Sequence, residues 1–526
     1  MKNFFLFFIT VMTATSCLGT LLDLSGEHVD IDGHSISHDM IVLGEKLQDP
    51  YSVENMTRAY LSLYPTKADR VPIECTHLYV RFLPDGQLEY DELESDGLVL
   101  LDHPVDYAIV KEGDYYHDPS IDEDRITWQY SVVPVDYEFS EDIEYEILER
   151  CYIADDNLSL KSSGDVDWAE VEREAYRLSG NEAMLVPRTK SDPDSRPSGR
   201  ITIEDDAKEG AIEGVKGVKV SCNTFVKFAH CYTDEDGYYQ FDKSFDTEPR
   251  YRIVFKNRHG FGIGFNLLLS PASSSTLGKN SPEGVDVHIT SSSERKLYTR
   301  SVVNNAAYDY YEQCHADGGK SMKTPPANLR IWLFQGLRKS SAVMLQQGTV
   351  VDESKLAEYL GDYMFLLKMF LPDITLGLKD LDTYEDIYTT AVHELAHASH
   401  FMSAGRKYWD RYVGYIVKSY LSSGFVMYGT GTEEDHGYCE VGEMWAYYVE
   451  SKLHNERYPE RPLLFGTGYW FSPQIFFYLD ERGLDRYKIS AALTSDIYER
   501  DKLQKKLISL YPQFKSTINQ VFIRYN

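Results

Sequence analysis

The chain has 526 residues, of which 83 are acidic and 53 basic, giving a formal net charge of −30. This length exceeds what a single hydrophobic core ordinarily serves, so we expect several domains. The charge excludes nucleic acid as a partner, because nucleic-acid binding needs a basic surface, and it excludes adhesion to anionic lipid. The apolar fraction of 43% is typical of a globular protein with a solvated acidic surface.

The first residues predict export. Lys2 precedes an apolar run from Phe4 to Met12, and small residues then lead to Cys17. The run is shorter than the roughly 20 residues that span a membrane, so residues 1–17 indicate a secretory signal peptide. Its end resembles a bacterial lipoprotein signal, whose cysteine becomes the lipidated first residue. The resemblance implies an outer-membrane or cell-surface lipoprotein that touches the membrane only through Cys17. Periplasmic or secreted export is the alternative.

Residues 18–50 predict a polar tether, and residues 51–185 a small N-terminal α/β domain. Alternation of Leu78, Val80 and Phe82 is typical of a half-buried strand. The order of elements is similar to the small prodomains of secreted proteases, which leaves two interpretations open, an inhibitory prodomain and a spacer. The predicted elements are helices at 53–63, 89–96 and 166–178 and strands at 76–83, 98–101, 128–133 and 145–148.

A proline-rich segment at residues 186–198 predicts a linker. Short alternating strands follow it, at 199–203, 217–221, 233–241 and 251–255. Their order, and the sequence T-D-E-D-G-Y-Y-Q-F at 233–241, resemble the transthyretin-like sandwich called the carboxypeptidase regulatory-like domain. The resemblance implies a structural β-sandwich as the middle domain, at residues 199–256.

The cysteines do not suggest a metal site. Export permits disulfide bonds, but the spacing does not reveal which cysteines would pair. No two of them have the C-x-x-C spacing of a cysteine zinc site. Besides Cys17 they are Cys75, Cys151, Cys222, Cys231, Cys314 and Cys439.

Residues 257–526 contain the pattern H-E-x-x-H as His393-Glu394-x-x-His397. In an α-helix, residues four apart lie on one face, so both imidazoles can bind one Zn²⁺ ion. Glu394 would then reach the water that the ion activates. The sequence therefore predicts a zinc site on this helix.

The flanks of the motif predict the limits of that helix. A capping box at Asp382–Glu385 and the glycine at Gly405 indicate a helix from about 383 to 402. His400 is about 10 Å along the axis from His393 at the usual helical rise, so we expect it beside the site or at the surface. The other elements predicted here are helices at 302–314 and 356–370 and a central strand at 329–334, and residues 373–378 directly precede the zinc-binding helix.

A third ligand must come from elsewhere, because catalytic zinc takes three protein ligands and keeps one position open for water. A second helical pattern at 437–450 places Glu440, Glu443, Tyr447 and Glu450 on one stripe. A crossing helix could bring one of these carboxylates to the ion, and the pattern alone leaves both Glu440 and Glu443 open.

With both helices, the chain resembles the gluzincin metallopeptidases, whose third ligand is a glutamate on a separate helix. The segment Glu443-Met-Trp-Ala-Tyr447 is similar to the E-x-x-A-E helix of toxin-type zinc proteases, with Tyr447 in place of the last glutamate. The resemblance implies a zincin-like C-terminal domain with Glu394 as general base. The zinc ligands that it implies are His393, His397 and Glu443, with Glu440 as the alternative third ligand.

These patterns predict a multidomain α+β protein that is a cell-envelope zinc metallopeptidase, an endopeptidase acting on a peptide or protein substrate. The developing oxyanion needs a further donor, for which His436 and Tyr438 are the candidates. Tyr428 and Tyr447 also lie near the third ligand in sequence. The alternative is a non-catalytic surface lipoprotein that binds peptide or glycan on a retained zincin scaffold.

Overall fold

The computed structural model has a mixed α+β architecture with several sheets. None of its described helices is both long enough and apolar enough to cross a membrane. The signal peptide, Cys17, most of the tether, the centre of the linker and the helix predicted at 356–370 lie outside the described residues. The structure describes residues 40–65, 72–122, 125–154, 166–187, 196–264, 272–316, 322–335, 338–349, 372–422, 428–463 and 469–525.

The helices predicted within the described residues are confirmed, with ends that shift by a few residues and a longer α4 and α7. Several further helices close the C-terminal part. The helices are α1 Val53–Leu63, α2 Gln87–Ser95, α3 Trp168–Leu178, α4 Arg295–His315, α5 Tyr384–Ala404, α6 Arg406–Ser422, α7 His436–Arg457, α8 Gln474–Asp480, α9 Arg486–Ser490, α10 Arg500–Leu510 and α11 Lys515–Arg524.

Two small antiparallel sheets form the N-terminal part. One pairs β1 with β3, and the other has β2 between β4 and β5. The strand predicted at 98–101 is wrong, because only Leu101 forms an isolated bridge, to Tyr130. Leu98 packs in a cluster with Leu93 of α2, so burial without strand pairing explains this apolar run. The strands are β1 Val42–Lys46, β2 His77–Leu83, β3 Tyr107–Lys111, β4 Gln129–Pro134 and β5 Glu144–Cys151.

A sheet of four strands pairs β6 with β7, β10 and β14. The longer sheet has the order β16-β17-β15-β12-β11-β8-β9, with β13 also paired to β11. The strands are β6 Ser198–Asp205, β7 Ala211–Gly214, β8 Val218–Thr224, β9 Lys227–Tyr232, β10 Tyr238–Gln240, β11 Arg250–Asn257, β12 Gly262–Ile263, β13 Ser274–Lys279, β14 Val287–Ile289, β15 Arg330–Phe334, β16 Ser341–Ala342 and β17 Ile374–Gly377.

The longer sheet continues across the boundary predicted between residues 256 and 257. Lys256 of β11 pairs with Gly262 of β12, and β12 then pairs in parallel with β15. One hydrophobic core runs from Ile201 of β6 to Phe522 of α11. The predicted sandwich strands and the C-terminal helices therefore share both a sheet and a core.

Helix α5 lies against β16, β17 and α4. It begins one residue later than predicted, because Thr383 rather than Asp382 is the N-cap. The Thr383 side chain accepts a hydrogen bond from the Asp386 backbone N–H at 3.1 Å and donates to the Asp386 carboxylate at 2.7 Å. The first of these bonds is an N-cap, and the second, between the two side chains, differs from the backbone bond that would complete a capping box. Gly405 ends the helix with φ 79°, a backbone conformation that favours glycine.

The cysteines within the described residues carry thiols and form no disulfide bond with one another. Burial raises the pKa of Cys151 and Cys439 above the usual thiol value. Such thiols act as small apolar core groups rather than as nucleophiles. These cysteines are Cys75, Cys151, Cys222, Cys231, Cys314 and Cys439.

Ion pairs join the N-terminal part to the rest of the protein. In most of them the acidic side chain lies before residue 188 and the basic side chain after residue 196. In one further pair the charges are reversed, with Arg173 in the N-terminal part and Asp246 after it. The matching charges indicate an interface that depends on electrostatics and is weakened by salt where exposed. The pairs are Asp91–Arg330, Glu94–Lys256, Glu112–Arg250, Asp114–Arg300 and Glu172–Lys227.

A largely buried arginine joins the end of α7 to β6 and β7. Arg457 Nη2 lies 2.8 Å from Asp205 Oδ2 and 2.6 Å from Glu213 Oε1. The side chains of Arg457 and Asp205 are only 12% and 1% exposed. The guanidinium thus supplies the counter-charge for carboxylates that solvent barely reaches.

We expect Arg457→Met to lower the free energy of unfolding by about 3–5 kcal/mol, because breaking a buried pair leaves charge without its partner. Urea denaturation followed by tryptophan fluorescence measures the change. Arg411→Met is the matched control, since Arg411 is 63% exposed where it pairs with Asp435. The control substitution should cost less than about 1 kcal/mol. Equal losses in the two variants would contradict the assignment.

The same cluster predicts a pH dependence. Burial raises the pKa of Glu213, but Arg457 and Lys216 outweigh burial and set it at about 2, below the usual 4.5. A lowered folded-state pKa stabilises the protein above the unfolded-state value, and this stabilisation is lost as the pH falls towards 2. Between about pH 5 and about pH 2, the wild type should therefore lose more unfolding free energy than Arg457→Met.

Candidate metal centre

Helices α5 and α7 pack tightly against each other. The indole N–H of Trp445 on α7 donates to the backbone carbonyl of Ala396 on α5 at 3.1 Å, and both residues are fully buried. The small side chain of Ala396 leaves room for this close approach. The contact fixes the face of α7 that carries Glu443 opposite the histidine face of α5.

This packing brings His393, His397 and Glu443 together. His393 Nε2 lies 3.6 Å from Glu443 Oε2, and His397 Nε2 lies 3.6 Å from Glu443 Oε1. One nitrogen or oxygen atom of each residue lies within 4.8 Å of those of the other two. Glu443 and His397 are 1% and 2% exposed, so solvent contributes little to this arrangement.

The donor set fits a zinc ion. In a tetrahedral zinc site with bonds of about 2.1 Å, ligand atoms lie about 3.4 Å apart, close to the two separations observed here. Glu443 Oε2 is buried and has no hydrogen-bond partner among the described residues. Burying such an atom unpaired is costly, and a cation between the carboxylate and the imidazoles would remove that cost.

Two further side chains orient the group. Glu450 Oε2 lies 2.8 Å from His393 Nδ1, which leaves His393 Nε2 facing Glu443. The hydroxyl of Tyr412, on α6, donates to Glu443 Oε1 at 2.5 Å. Carboxylates bonded to the far nitrogen of a ligand histidine fix its orientation in metal sites. The stripe on α7 contained Glu450 without indicating this role, and no sequence signal pointed to Tyr412.

The electrostatics favour an ionised Glu443. Burial raises the pKa of Glu443, but contacts with His397 and His393 outweigh burial and hold the pKa well below its usual range. Burial lowers the pKa of His397. An ionised carboxylate and a neutral imidazole are the forms in which these groups bind a metal ion. Burial also opposes a charge on His393, but Glu443 and Glu450 raise its pKa well above the usual value.

Glu394 lies beside the group and is 5% exposed. Its Oε2 atom has no hydrogen-bond partner among the described residues. Burial raises the pKa of Glu394 to about 8, with a further increase from the nearby Glu443 and Glu450 charges. A carboxylate whose pKa lies near neutrality can both accept and release a proton, which is the requirement for a general base.

Glu440 is not part of this group. Its Oε1 atom accepts a hydrogen bond from Arg500 Nε at 2.7 Å, which directs the carboxylate to α10. His400 is 1% exposed and packs against the aromatic rings of Tyr408 and Trp409. It therefore lies inside the protein rather than at the surface.

The two predicted oxyanion donors contact other groups. His436 Nδ1 lies 2.9 Å from the backbone carbonyl oxygen of Glu433. The ring of Tyr438 stacks on Tyr498, with centroids 4.8 Å apart. Within the described residues, no hydrogen bond or ring contact links His436 or Tyr438 to His393, so their role as oxyanion donors stays a prediction.

Two other tyrosines lie closer. The ring of Tyr447 is 4.6 Å from that of His393, and its hydroxyl is 3.2 Å from the hydroxyl of Tyr428. Tyr428 has φ 66°, an uncommon conformation for a residue with a side chain. Its carbonyl oxygen accepts hydrogen bonds from Trp470 and Tyr415, which hold this backbone in place. Strain of this kind is typical of functional sites.

No protein-family model and no curated protein matches this chain. Among solved structures, it is similar to a 9R-lipoxygenase from Cyanothece, with 8% sequence identity and a TM-score of 0.13. The similarity covers 64% of this chain and 70% of that chain. A TM-score this low gives no information about the fold or the function of this chain.

We expect Glu450→Ala to weaken zinc binding about 10- to 100-fold, because His393 then loses the partner that orients its ring. Titration of the metal-free protein with zinc against a competing chelator measures the affinity. Glu456→Ala is the control, because Glu456 lies on the same helix but pairs with Arg486. Unchanged affinity in Glu450→Ala would show that the contact with His393 does not orient a ligand.

Proposed function

We propose that this protein is a zinc metallopeptidase. The observation that carries the proposal is the buried convergence of His393, His397 and Glu443 beside the unpaired carboxylate of Glu394. Two imidazoles and one carboxylate are a common ligand set of catalytic zinc in peptidases. In this proposal the zincin-like scaffold consists of four neighbouring strands of the longer sheet, with α5 packed against them. The strands are β12, β15, β17 and β16.

Zinc supplies a Lewis acid that lowers the pKa of water and polarises a carbonyl group. Glu394 takes the proton from the attacking water and then delivers it to the leaving amine. The position of Glu394 suits both steps, because its Oε2 atom lies buried beside the ligands with no hydrogen-bond partner among the described residues. Glu450 and Tyr412 keep His393 and Glu443 oriented while the proton moves.

We assign the oxyanion donor to Tyr428. Its hydroxyl lies near Glu443 and within hydrogen-bond distance of Tyr447, whose own hydroxyl donates to Tyr469. Burial raises the pKa of Tyr428 well above its usual value, so the hydroxyl keeps its proton and remains a donor. A neutral hydroxyl held by a rigid backbone can stabilise negative charge on the substrate's carbonyl oxygen.

The exported form beginning after Cys17 should bind zinc and hydrolyse members of a mixed peptide library. Glu394→Gln should keep the zinc and lose about 10²- to 10⁴-fold in kcat, since it removes the general base. Glu443→Ala should lose the zinc of this site. Glu440→Gln is the control, because it keeps a hydrogen-bond acceptor for Arg500, and it should change neither property.

Several results would contradict the proposal. Zinc binding without hydrolysis by the wild type would favour a binding protein on a retained scaffold, and turnover of non-peptide substrates alone would indicate a different hydrolase. Full activity in Glu394→Gln would show that Glu394 is not the general base. If the Glu443→Ala variant bound as much zinc as the wild type, Glu443 would not be a zinc ligand and the proposed site would be wrong.

We expect Tyr428→Phe to lower kcat about 10²-fold, because it removes one donor to the developing oxyanion. The KM and the zinc content should not change, since the substitution removes a single oxygen atom. Tyr438→Phe should leave kcat unchanged, because that ring packs against Tyr498. Steady-state kinetics on one peptide substrate measure both variants, and the reverse result would restore Tyr438 as the donor.

A further inference from the structure

A second group of metal-binding side chains lies on other elements of the fold. His259 is in the turn between β11 and β12, and Glu312 and His315 are near the C-terminal end of α4. One nitrogen or oxygen atom of each lies within 4.8 Å of those of the other two. We propose that these three residues bind a divalent transition-metal ion such as zinc, at a structural site separate from the α5–α7 centre.

The geometry at His259 supports a shared ion. His259 Nε2 is buried and lies 3.1 Å from Glu312 Oε1, within the range of an ion pair. Ligand atoms on one tetrahedral zinc ion lie about 3.4 Å apart, which is close to this separation. The rings of His259 and His315 are 5.8 Å apart between centroids, so both imidazoles can face one ion.

The position on α4 also favours a cation. Glu312 and His315 are three residues apart in a helix, so their side chains project from the same face. They lie in the last turn of a helix of 21 residues. Unpaired carbonyl groups give that end of a helix a partial negative charge, which attracts a cation. Arg258 is a nearby side chain of like charge to the proposed ion. Its guanidinium group stacks on the Tyr308 ring and forms a hydrogen bond with the Tyr308 hydroxyl.

The ligand types identify the class of ion. Two imidazoles and a carboxylate suit zinc, cobalt, nickel or copper, whereas calcium requires six to eight oxygen ligands. The side chain of Glu312 is 46% exposed, and His315 is exposed as well. Water can therefore complete the coordination, and the ion can enter from solvent without a change in fold.

An ion at this site would tie two layers together. The β11–β12 turn belongs to the longer sheet, and α4 packs against α5, which carries the catalytic candidates. Binding three residues from both layers would stabilise the folded state, because the unfolded chain lacks the assembled site. None of the three residues belongs to the α5–α7 group, so hydrolysis should not depend directly on this ion.

The number of zinc ions bound per chain tests the proposal. It is measured on the full-length exported protein after its metal has been removed and zinc has been added back. The wild type should bind two zinc ions, His315→Ala one, Glu443→Ala one, and the double variant none. His288→Ala is the control, because His288 is an exposed histidine on β14 that pairs with Thr202, and it should bind two ions. Peptide hydrolysis by zinc-loaded His315→Ala should equal that of the wild type.

Failure of this site and failure of the proposed function give different results. If His315→Ala binds as many ions as the wild type, the second site is wrong. If only the α5–α7 centre fails, the wild type binds one ion, Glu443→Ala still binds one and His315→Ala binds none.

Thermal unfolding provides a second readout. Zinc should raise the Tm of Glu443→Ala but not that of Glu443→Ala with His315→Ala, and equal Tm values of these two variants without zinc would show that both fold. The same rise in both variants would overturn the proposal.

Discussion

A carboxylate buried between two imidazoles is the constraint on which the packing of α5, α6 and α7 depends. Removing an ionised carboxylate from water costs several kcal/mol unless other groups replace the water. For Glu443, which lies on α7, these groups come from two other helices, His393 and His397 from α5 and Tyr412 from α6. The helices must therefore hold a fixed relative position, and the bond between Trp445 and Ala396 helps to set it.

The unpaired atoms in this group support the proposed metal site. Buried polar atoms are almost always hydrogen bonded, and exceptions often mark sites where a ligand or a reaction supplies the missing partner. Glu394 Oε2, His397 Nδ1 and Glu443 Oε2 are all exceptions among the described residues. Several perturbed groups in one place are also what separates an active site from an ordinary ion pair.

The distribution of charge explains how an acidic chain stays assembled. With a net charge of −30, like charges repel across most of the surface. Basic side chains lie where acidic segments meet, as with Arg330 beside Asp91 and Arg457 beside Asp205 and Glu213. The cations thus stabilise contacts between parts of the fold that would otherwise repel each other.

Local geometry alone determined the most specific features of this protein. The spacing of His393 and His397 places them on one helix face, because that relation depends only on the helical repeat. The sequence could not decide between Glu440 and Glu443, since both lie on one stripe of the same helix. Only the tertiary structure directs Glu440 to Arg500 and Glu443 to the histidines.

The same distinction holds for the sheets. Alternating patterns identified β8 and β11 as strands, and the apolar run at 329–334 identified β15, but the partners of a strand depend on contacts between residues far apart in the chain. The pairing of β12 with both β11 and β15 was therefore invisible in the sequence, as were Tyr412 as a partner of Glu443 and the approach of His259 to α4. Side-chain spacing is a local property, whereas burial and pairing arise only when distant segments compete for the same core.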